Sequence, residues 1–200
     1  DEQQRKLGIE RLRVLAQASS LLGTSVITLC TGSRDRDNMW RSHPDNRRRD
    51  AWHDMMHTMA AAVEIAEAYN LVLGVEPELA NIVYDATRAK QLLDELRSPH
   101  VKIVMDAANL YNPEHTGSMN DLLSESFDLL GEHIVLAHAK DIAMDGHTEF
   151  VAAGQGVVDY KHYLQLLSEA KFTGPLILHG LNEAQVNSSL SYILAQMPSH

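Results

Sequence analysis

Five apolar runs rich in β-branched residues, separated by helical patterns, constrain the fold of this chain more than any other feature. The runs are SVITLCTG (25–32), LVLGVEPE (71–78), VKIVMDAAN (101–109), IVLAHAKD (134–141) and PLILHGL (175–181). They are nearly continuous rather than alternating, which is typical of parallel strands buried on both faces. The sequence therefore predicts five parallel strands.

Helical patterns fill the spaces between these runs. Apolar residues recur at three- and four-residue steps in 48–69, 85–97, 118–131 and 159–172, and further helices are predicted over about 4–22 and 184–197. Ser118 and Asp159 are the predicted N-caps of two of them. Because strand and helix alternate without a linker or a break in composition, the sequence predicts one α/β domain over residues 1–200.

Four of the five runs end in a side chain that can bind a metal ion. These residues are Glu76, Asp106, His138 and His179. In parallel α/β folds, ligands gather beyond the carboxyl ends of the strands, so we expect one shared site. Two carboxylates and two imidazoles suit a single divalent ion such as Mn²⁺, Co²⁺, Mg²⁺ or Zn²⁺. The lack of thiolates argues against a structural zinc cluster.

Structural alternatives stay open for these residues at this point. Glu76 precedes Pro77 and fits the start of a loop, Asp106 fits a cap of the turn after it, and His138 fits a buried core histidine. Lys140 lies two positions after His138, so the alternation of a strand puts both side chains on the same side. Contact with a substrate oxyanion and a salt bridge to a neighbouring carboxylate both fit Lys140.

Composition narrows the choice of partner. The formal charge of −10 argues against a general nucleic-acid binder. No apolar run approaches the roughly 18 residues that cross a membrane. The single cysteine, Cys30, excludes an internal disulfide and fits a cytoplasmic, reducing location. A small molecule is the expected partner.

The segments GVEPE (74–78), VMDAANLY (104–111), AHAKD (137–141), GQGVVDY (154–160) and GPLILHG (174–180) resemble, in this order, the xylose isomerase-like TIM barrel superfamily. Within it, they are most similar to the sugar phosphate isomerase/epimerase group. The resemblance implies an incomplete (β/α) barrel, made of the last five of its eight strand–helix units. It also implies one divalent cation bound by Glu76, Asp106, His138 and the position of His179. Glu76 would act as the general base, removing a proton next to a carbonyl of a sugar or sugar phosphate to give an enediolate.

The chain departs from the family in three respects. His179 stands where relatives usually have a glutamate that is both ligand and second base, so a one-base isomerisation through Glu76 fits better than a symmetric epimerisation. Glu183, or a residue of an absent segment, is the expected second base. Asn109 stands where many relatives have a histidine, so we expect it to bind a substrate hydroxyl. With 200 residues, the chain is also shorter than the about 250 of a complete barrel.

Several functional expectations remain less specific. Arg34 and Trp40, in the long loop after the first strand, are expected to contact the sugar or its phosphate. The alternatives are a metal-dependent dehydratase or lyase on a polyol-derived ketone, an apurinic-site nuclease similar to endonuclease IV, and a non-catalytic polyol-binding barrel. The spacing of Asp145 and His147 is similar to that of a ligand pair in the endonuclease IV-like enzymes and keeps the nuclease open, whereas Asn109 and the acidic charge count against it. A homo-oligomer is compatible with the chain, because an open sheet leaves an apolar edge.

Overall fold

The computed structural model of the chain describes residues 2–111, 117–143 and 149–197. Its elements are α1 (Glu2–Leu22), β1 (Val26–Leu29), α2 (Arg49–Tyr69), β2 (Val72–Val75), α3 (Ala86–Leu96), β3 (Val101–Asp106), α4 (Ala107–Leu110), α5 (Met119–Leu130), β4 (Ile134–Ile142), β5 (Phe150–Ala152), α6 (Tyr160–Glu169), β6 (Leu176–Leu178) and α7 (Val186–Gln196). Short 3-10 turns cover Pro44–Arg47, Gly131–His133 and Glu183–Gln185. The chain divides into two compact units, an N-terminal unit (Asp1–Ile103) and a C-terminal unit (Val104–His200).

The N-terminal unit is built on parallel strands. β1 pairs with β2 from Val26 opposite Val72 to Leu29 opposite Val75. β2 pairs in the same sense with the first residues of β3. A buried core is formed by side chains of α1, α2, β2 and the residue just before β2: Leu12, Ala16, Ala62, Ile65, Ala66, Leu71 and Leu73. Their three- and four-residue spacing in the helices is the pattern that predicted those helices.

The C-terminal unit pairs β4 with a strand on either edge. β6 runs parallel to β4 with Ile177 opposite His138, and β5 runs antiparallel with Ala152 opposite Lys140. The helix α6 covers this region with Tyr163, which is fully buried. The Tyr163 hydroxyl lies 2.9 Å from the carbonyl oxygen of Met105 and 3.3 Å from that of His138. One side chain of α6 therefore links the end of β3 to the middle of β4.

The predicted strands and helices are confirmed, with two short additions, α4 and β5. Each of the five apolar runs contains a strand, and each predicted helical segment contains a helix. The side chain of Ser118 accepts a hydrogen bond from the amide of Asp121, and that of Asp159 accepts one from the amide of His162, as N-caps do. The sequence did not predict β5, because three residues are too few for a periodic signal.

Apolar side chains remain exposed on elements of both units. In the C-terminal unit, Ile177 of β6 is 42% exposed and Leu194 of α7 is 56% exposed. In the N-terminal unit, Leu21 of α1 is 89% exposed. Despite these side chains, the part of the chain that the structure describes has no helix with both the length and the apolar character needed to cross a bilayer.

Candidate metal centre

Asp106, the last residue of β3, is almost completely buried and uses its two carboxylate oxygens differently. Oδ1 accepts hydrogen bonds from the amides of Ala108 and Asn109 and so caps α4. Oδ2 is buried and accepts no well-aligned hydrogen bond from the described residues. A buried carboxylate oxygen of this kind calls for a cationic partner. Asp106 can therefore cap the turn through Oδ1 and still offer Oδ2 to a metal ion, so the two roles predicted for it are compatible.

Two basic side chains of β4 approach Asp106 Oδ2. His138 Nδ1 lies 3.4 Å away and Lys140 Nζ lies 3.1 Å away. Burial raises the pKa of Asp106, but the neighbouring imidazole and the ammonium outweigh it, so the pKa lies below its ordinary value. As the alternation of the strand predicts, His138 and Lys140 reach the same oxygen.

His179 completes a group of three possible ligands. Its ring stacks on that of His138, with 4.6 Å between ring centroids and 5° between planes. Its backbone amide donates to the carbonyl oxygen of Ala139, which fixes the chain just after β6. Asp106, His138 and His179 each offer one ligand atom, and these atoms lie within 4.8 Å of one another.

The donor set of this group fits a divalent ion. One carboxylate and two imidazoles are ligands that Zn²⁺, Mn²⁺ and Co²⁺ accept. Ligand atoms about 2.0–2.2 Å from a shared ion lie some 3–4 Å apart, a spacing that this group approaches. His179 is exposed, whereas Asp106 and His138 are buried, so the group is open on one side.

Lys140 is a buried cation with three partners. Its side chain is 5% exposed, and Nζ donates a hydrogen bond of 2.6 Å to Asn109 Oδ1 in addition to its ion pair with Asp106. The same atom lies 3.8 Å from the ring centroid of Phe150 in β5. The salt bridge that the sequence left open for Lys140 is therefore present, and Asn109 lies beside it.

The remaining predicted site residues belong to the N-terminal unit. Glu76 directly follows β2 and is half-buried. Its backbone amide donates a hydrogen bond to the carbonyl oxygen of Leu29. Arg34 forms a 2.8 Å ion pair with Asp54 of α2. Trp40 is 59% exposed. Their roles in catalysis or substrate binding remain predictions.

Sequence reasoning missed the role of Asp141. This fully buried carboxylate accepts hydrogen bonds from the amides of Ile142, Gly154 and Val158, and so holds the loop before α6 against β4. A Cβ atom on Gly156 would lie 2.1 Å from the carbonyl oxygen of Ile142, so the close approach requires glycine. The aspartate in AHAKD and the glycines in GQG were the available signal, but they were not connected. Asp145 and His147 lie outside the described residues.

Comparisons with known proteins agree with this architecture. The profile of the family described as Xylose isomerase-like TIM barrel matches residues 1–195. An L-ribulose-5-phosphate 3-epimerase, UlaE, of Escherichia coli O157:H7 (strain EC4115 / EHEC) is 25% identical over 203 aligned residues, covering 98% of this chain and 66% of that protein. This chain therefore spans just under two thirds of the length of that relative.

Two solved structures share the fold at low sequence identity. A D-tagatose 3-epimerase-like protein has a TM-score of 0.78 and 18% identity, with 98% of this chain and 70% of that chain covered. The IOLI protein, solved with a binding zinc atom, has a TM-score of 0.70 and 15% identity, with 98% and 69% covered.

The chain belongs to the xylose isomerase-like TIM barrel family. Its fold class is the α/β TIM-barrel type, with fewer strands among the described residues than the eight of a closed barrel. The relatives named above include a sugar-phosphate epimerase and a sugar epimerase-like protein. The predicted family and fold class are confirmed.

Proposed function

We propose that this chain carries the metal-binding part of a sugar or sugar-phosphate isomerase/epimerase. The observation that supports this most directly is the convergence of Asp106, His138 and His179 within 4.8 Å of one another, beside the buried Oδ2 of Asp106. The relative that acts on L-ribulose 5-phosphate supports a ketose phosphate as the substrate class.

One divalent cation, Mn²⁺, Co²⁺, Mg²⁺ or Zn²⁺, would be bound by Asp106, His138 and His179, with Glu76 as a further ligand. When bound, such an ion withdraws electron density from the oxygens of a substrate and stabilises negative charge on them. Asp106 is suited to binding it because its pKa is lowered, so the carboxylate is ionised near neutral pH. The two imidazoles bind a cation only in their neutral form.

Glu76 is proposed as the general base. Its carboxylate takes the proton from the carbon next to the substrate carbonyl, and the electron pair of that C–H bond moves to give an enediolate. Return of the proton from the carboxylic acid to the neighbouring carbon, with the hydroxyl proton moving between the two enediolate oxygens, gives the isomer. Return to the other face of the same carbon would need a second acid on that face. Because His179 replaces a second glutamate, one base is expected to serve both steps, with Glu183 as the alternative second group.

Lys140 and Asn109 are proposed as substrate-binding groups beside the metal ligands, and Arg34 and Trp40 as contacts to the sugar or its phosphate. Lys140 supplies a positive charge and Asn109 an amide that can exchange its bond to Nζ for one to a hydroxyl. Arg34 is paired with Asp54, so a phosphate would compete with that carboxylate for the guanidinium.

We also propose that the protein is cytoplasmic and that it self-associates. A reducing, cytoplasmic location is supported by the single cysteine. Self-association is supported by the exposed apolar side chains Ile177, Leu190 and Leu194 in the C-terminal unit. A sugar or sugar phosphate is the proposed small-molecule partner.

The test is the wash-in of solvent deuterium into a ketose phosphate by the protein expressed from its full reading frame. Glu76→Gln should abolish the wash-in and retain part of the metal binding, because the amide cannot accept the proton. Glu67→Gln, an exposed residue on α2, is the matched control and should exchange at the parent rate. Undiminished exchange in Glu76→Gln would remove this residue from the role of base.

The products of the same assay separate the alternatives. Release of water from the substrate would indicate the dehydratase or lyase, and cleavage of an apurinic site would indicate the nuclease. A bound metal without any exchange or product would indicate a polyol-binding protein. Each of these results would replace the isomerase proposal.

A further inference from the structure

We propose that Phe150 and Gly180 hold the ammonium of Lys140 at the reacting end of the substrate, where it offsets the negative charge that develops on the substrate oxygen. This inference rests on the proposed function and deepens it. It assigns a positioning role to two residues that the pattern of strand ends does not single out.

The location of Lys140 indicates which part of a substrate it would meet. Nζ contacts Asp106 Oδ2 at 3.1 Å, and Asp106 belongs to the group of metal ligands. A cation in contact with a ligand carboxylate lies close to the oxygens that a metal would bind. The phosphate of a pentulose 5-phosphate is several bonds away from the carbon that loses its proton. Lys140 is therefore placed for the reacting oxygen rather than for the phosphate.

Phe150 is a third contact of the ammonium, beside Asp106 and Asn109. Its ring centroid lies 3.8 Å from Nζ, and its backbone is paired with Ile142 in the antiparallel β4–β5 ladder. A lysine side chain has a long flexible stem, so an ion pair and one hydrogen bond leave it alternative positions. The electron-rich face of an aromatic ring attracts a cation, most strongly where water is excluded. Lys140 is 4% exposed, so water is largely excluded from the ammonium, while Phe150 is 42% exposed.

Gly180 leaves the space through which the stem of Lys140 passes. A Cβ atom at this position would lie 2.9 Å from both Cγ and Cδ of Lys140. The backbone of Gly180 also has φ +67°, which other residues rarely adopt. A side chain at the position after His179 would therefore press on the stem of Lys140. The histidine ligand and the lysine are positioned by the same short turn.

The decisive experiment compares Phe150→Leu with Phe150→Tyr in the full-length protein loaded with Mn²⁺, with L-ribulose 5-phosphate as the probe. Phe150→Leu removes the ring and should lower kcat about tenfold with KM changed less than twofold, because an interaction made in the transition state is lost. Phe150→Tyr keeps the ring and should stay within about twofold of the parent. Calorimetric Mn²⁺ affinity should be the same in all three proteins.

A measurement that needs no turnover tests the geometry separately. The ε-methylene protons of Lys140 should show an upfield ring-current shift by NMR in the parent and in Phe150→Tyr, and should lose it in Phe150→Leu. A folded Phe150→Leu protein with the parent kcat, or with a raised KM alone, would overturn the positioning role. If the parent exchanges no substrate hydrogen, the proposed function fails, and the NMR shift alone then decides whether Phe150 contacts Lys140.

Discussion

The imidazole rings of His138 and His179 lie parallel, with their centroids 4.6 Å apart. One ring comes from the middle of β4, and the other from the residue that follows its partner strand β6. Stacking at this distance suits neutral rings, since two imidazolium cations would repel each other. Metal ligation also needs the neutral form. The parallel rings therefore bring two imidazoles beside one carboxylate, a donor set that suits a divalent ion.

Replacing His179 with alanine should weaken metal binding by at least about tenfold, because losing a ligand is more severe than losing a group that only orients one. The thermal stability of the metal-free protein should change little, since His179 is exposed. Calorimetric titration with Mn²⁺ and Zn²⁺ measures the first effect. His162→Ala is the control, because its ring contacts Ser124 rather than the ligand group. Full occupancy in His179→Ala would remove this residue from the ligand set.

Replacing Asp106 with asparagine should destabilise the metal-free fold near neutral pH by about 3–5 kcal/mol, because Lys140 would remain buried beside a neutral amide. The pKa of Asp106 is lowered, so its ionised form stabilises the fold above the ordinary aspartate pKa of about 4, and that stability is lost as the pH falls through the lowered pKa. The difference between parent and variant should therefore shrink under acid conditions.

Urea unfolding at neutral and at acidic pH measures this difference. Asp128→Asn, on the exposed face of α5, should show little difference at either pH. A deficit in Asp106→Asn that stays constant with pH would argue that the carboxylate acts only as a cap of α4.

Replacing Tyr163 with phenylalanine should cost about 1–2 kcal/mol of stability, because the hydroxyl that serves the carbonyls of Met105 and His138 is lost. Metal affinity should fall as well, because Met105 directly precedes Asp106 and His138 is itself a proposed ligand, so both ligands would lose a backbone anchor. Thermal unfolding and Mn²⁺ titration measure the two effects. Tyr192→Phe, also in the C-terminal unit, is the matched control. An unchanged metal affinity would show that Tyr163 supports the fold alone.

Replacing Gly156 with alanine should destabilise the protein by about 2 kcal/mol or more, because the added methyl group would overlap the carbonyl oxygen of Ile142 and the carboxylate of Asp141. Gly8→Ala in α1 should have the opposite sign and stabilise by about 0.5–1 kcal/mol, since nothing lies within 4 Å of its Cβ position. Urea unfolding compares the pair. A neutral Gly156→Ala would show that the loop can move away from β4.

The sequence predicted the strands and a shared site of Glu76, Asp106, His138 and His179 for the same physical reason. The structure groups the last three, and the place of Glu76 in the site remains a prediction. Long apolar runs identify buried parallel strands, whose carboxyl ends lie at one edge of the sheet. His138 differs from the prediction in that it lies in the middle of β4, which continues to Ile142. Contacts that depend on side-chain conformation could not be predicted from the sequence. The split role of the Asp106 oxygens and the ring of Phe150 over Lys140 required coordinates, because neither has a periodic signal. The short strand that carries Phe150 has three residues, too few for alternation to show.

The carboxylate of Asp141 has one further consequence, which concerns how such a protein can diverge. Alternate residues of β4 serve separate tasks: His138 and Lys140 face Asp106, whereas Asp141 anchors the loop before α6 through backbone amides. Because amides are common to every residue except proline, the anchor places no demand on the side chains of Gln155 or Val157. Mutations at these two positions can accumulate without disturbing the ligand set. The sequence of this loop can therefore change at these two positions while the three proposed ligands stay under separate selection.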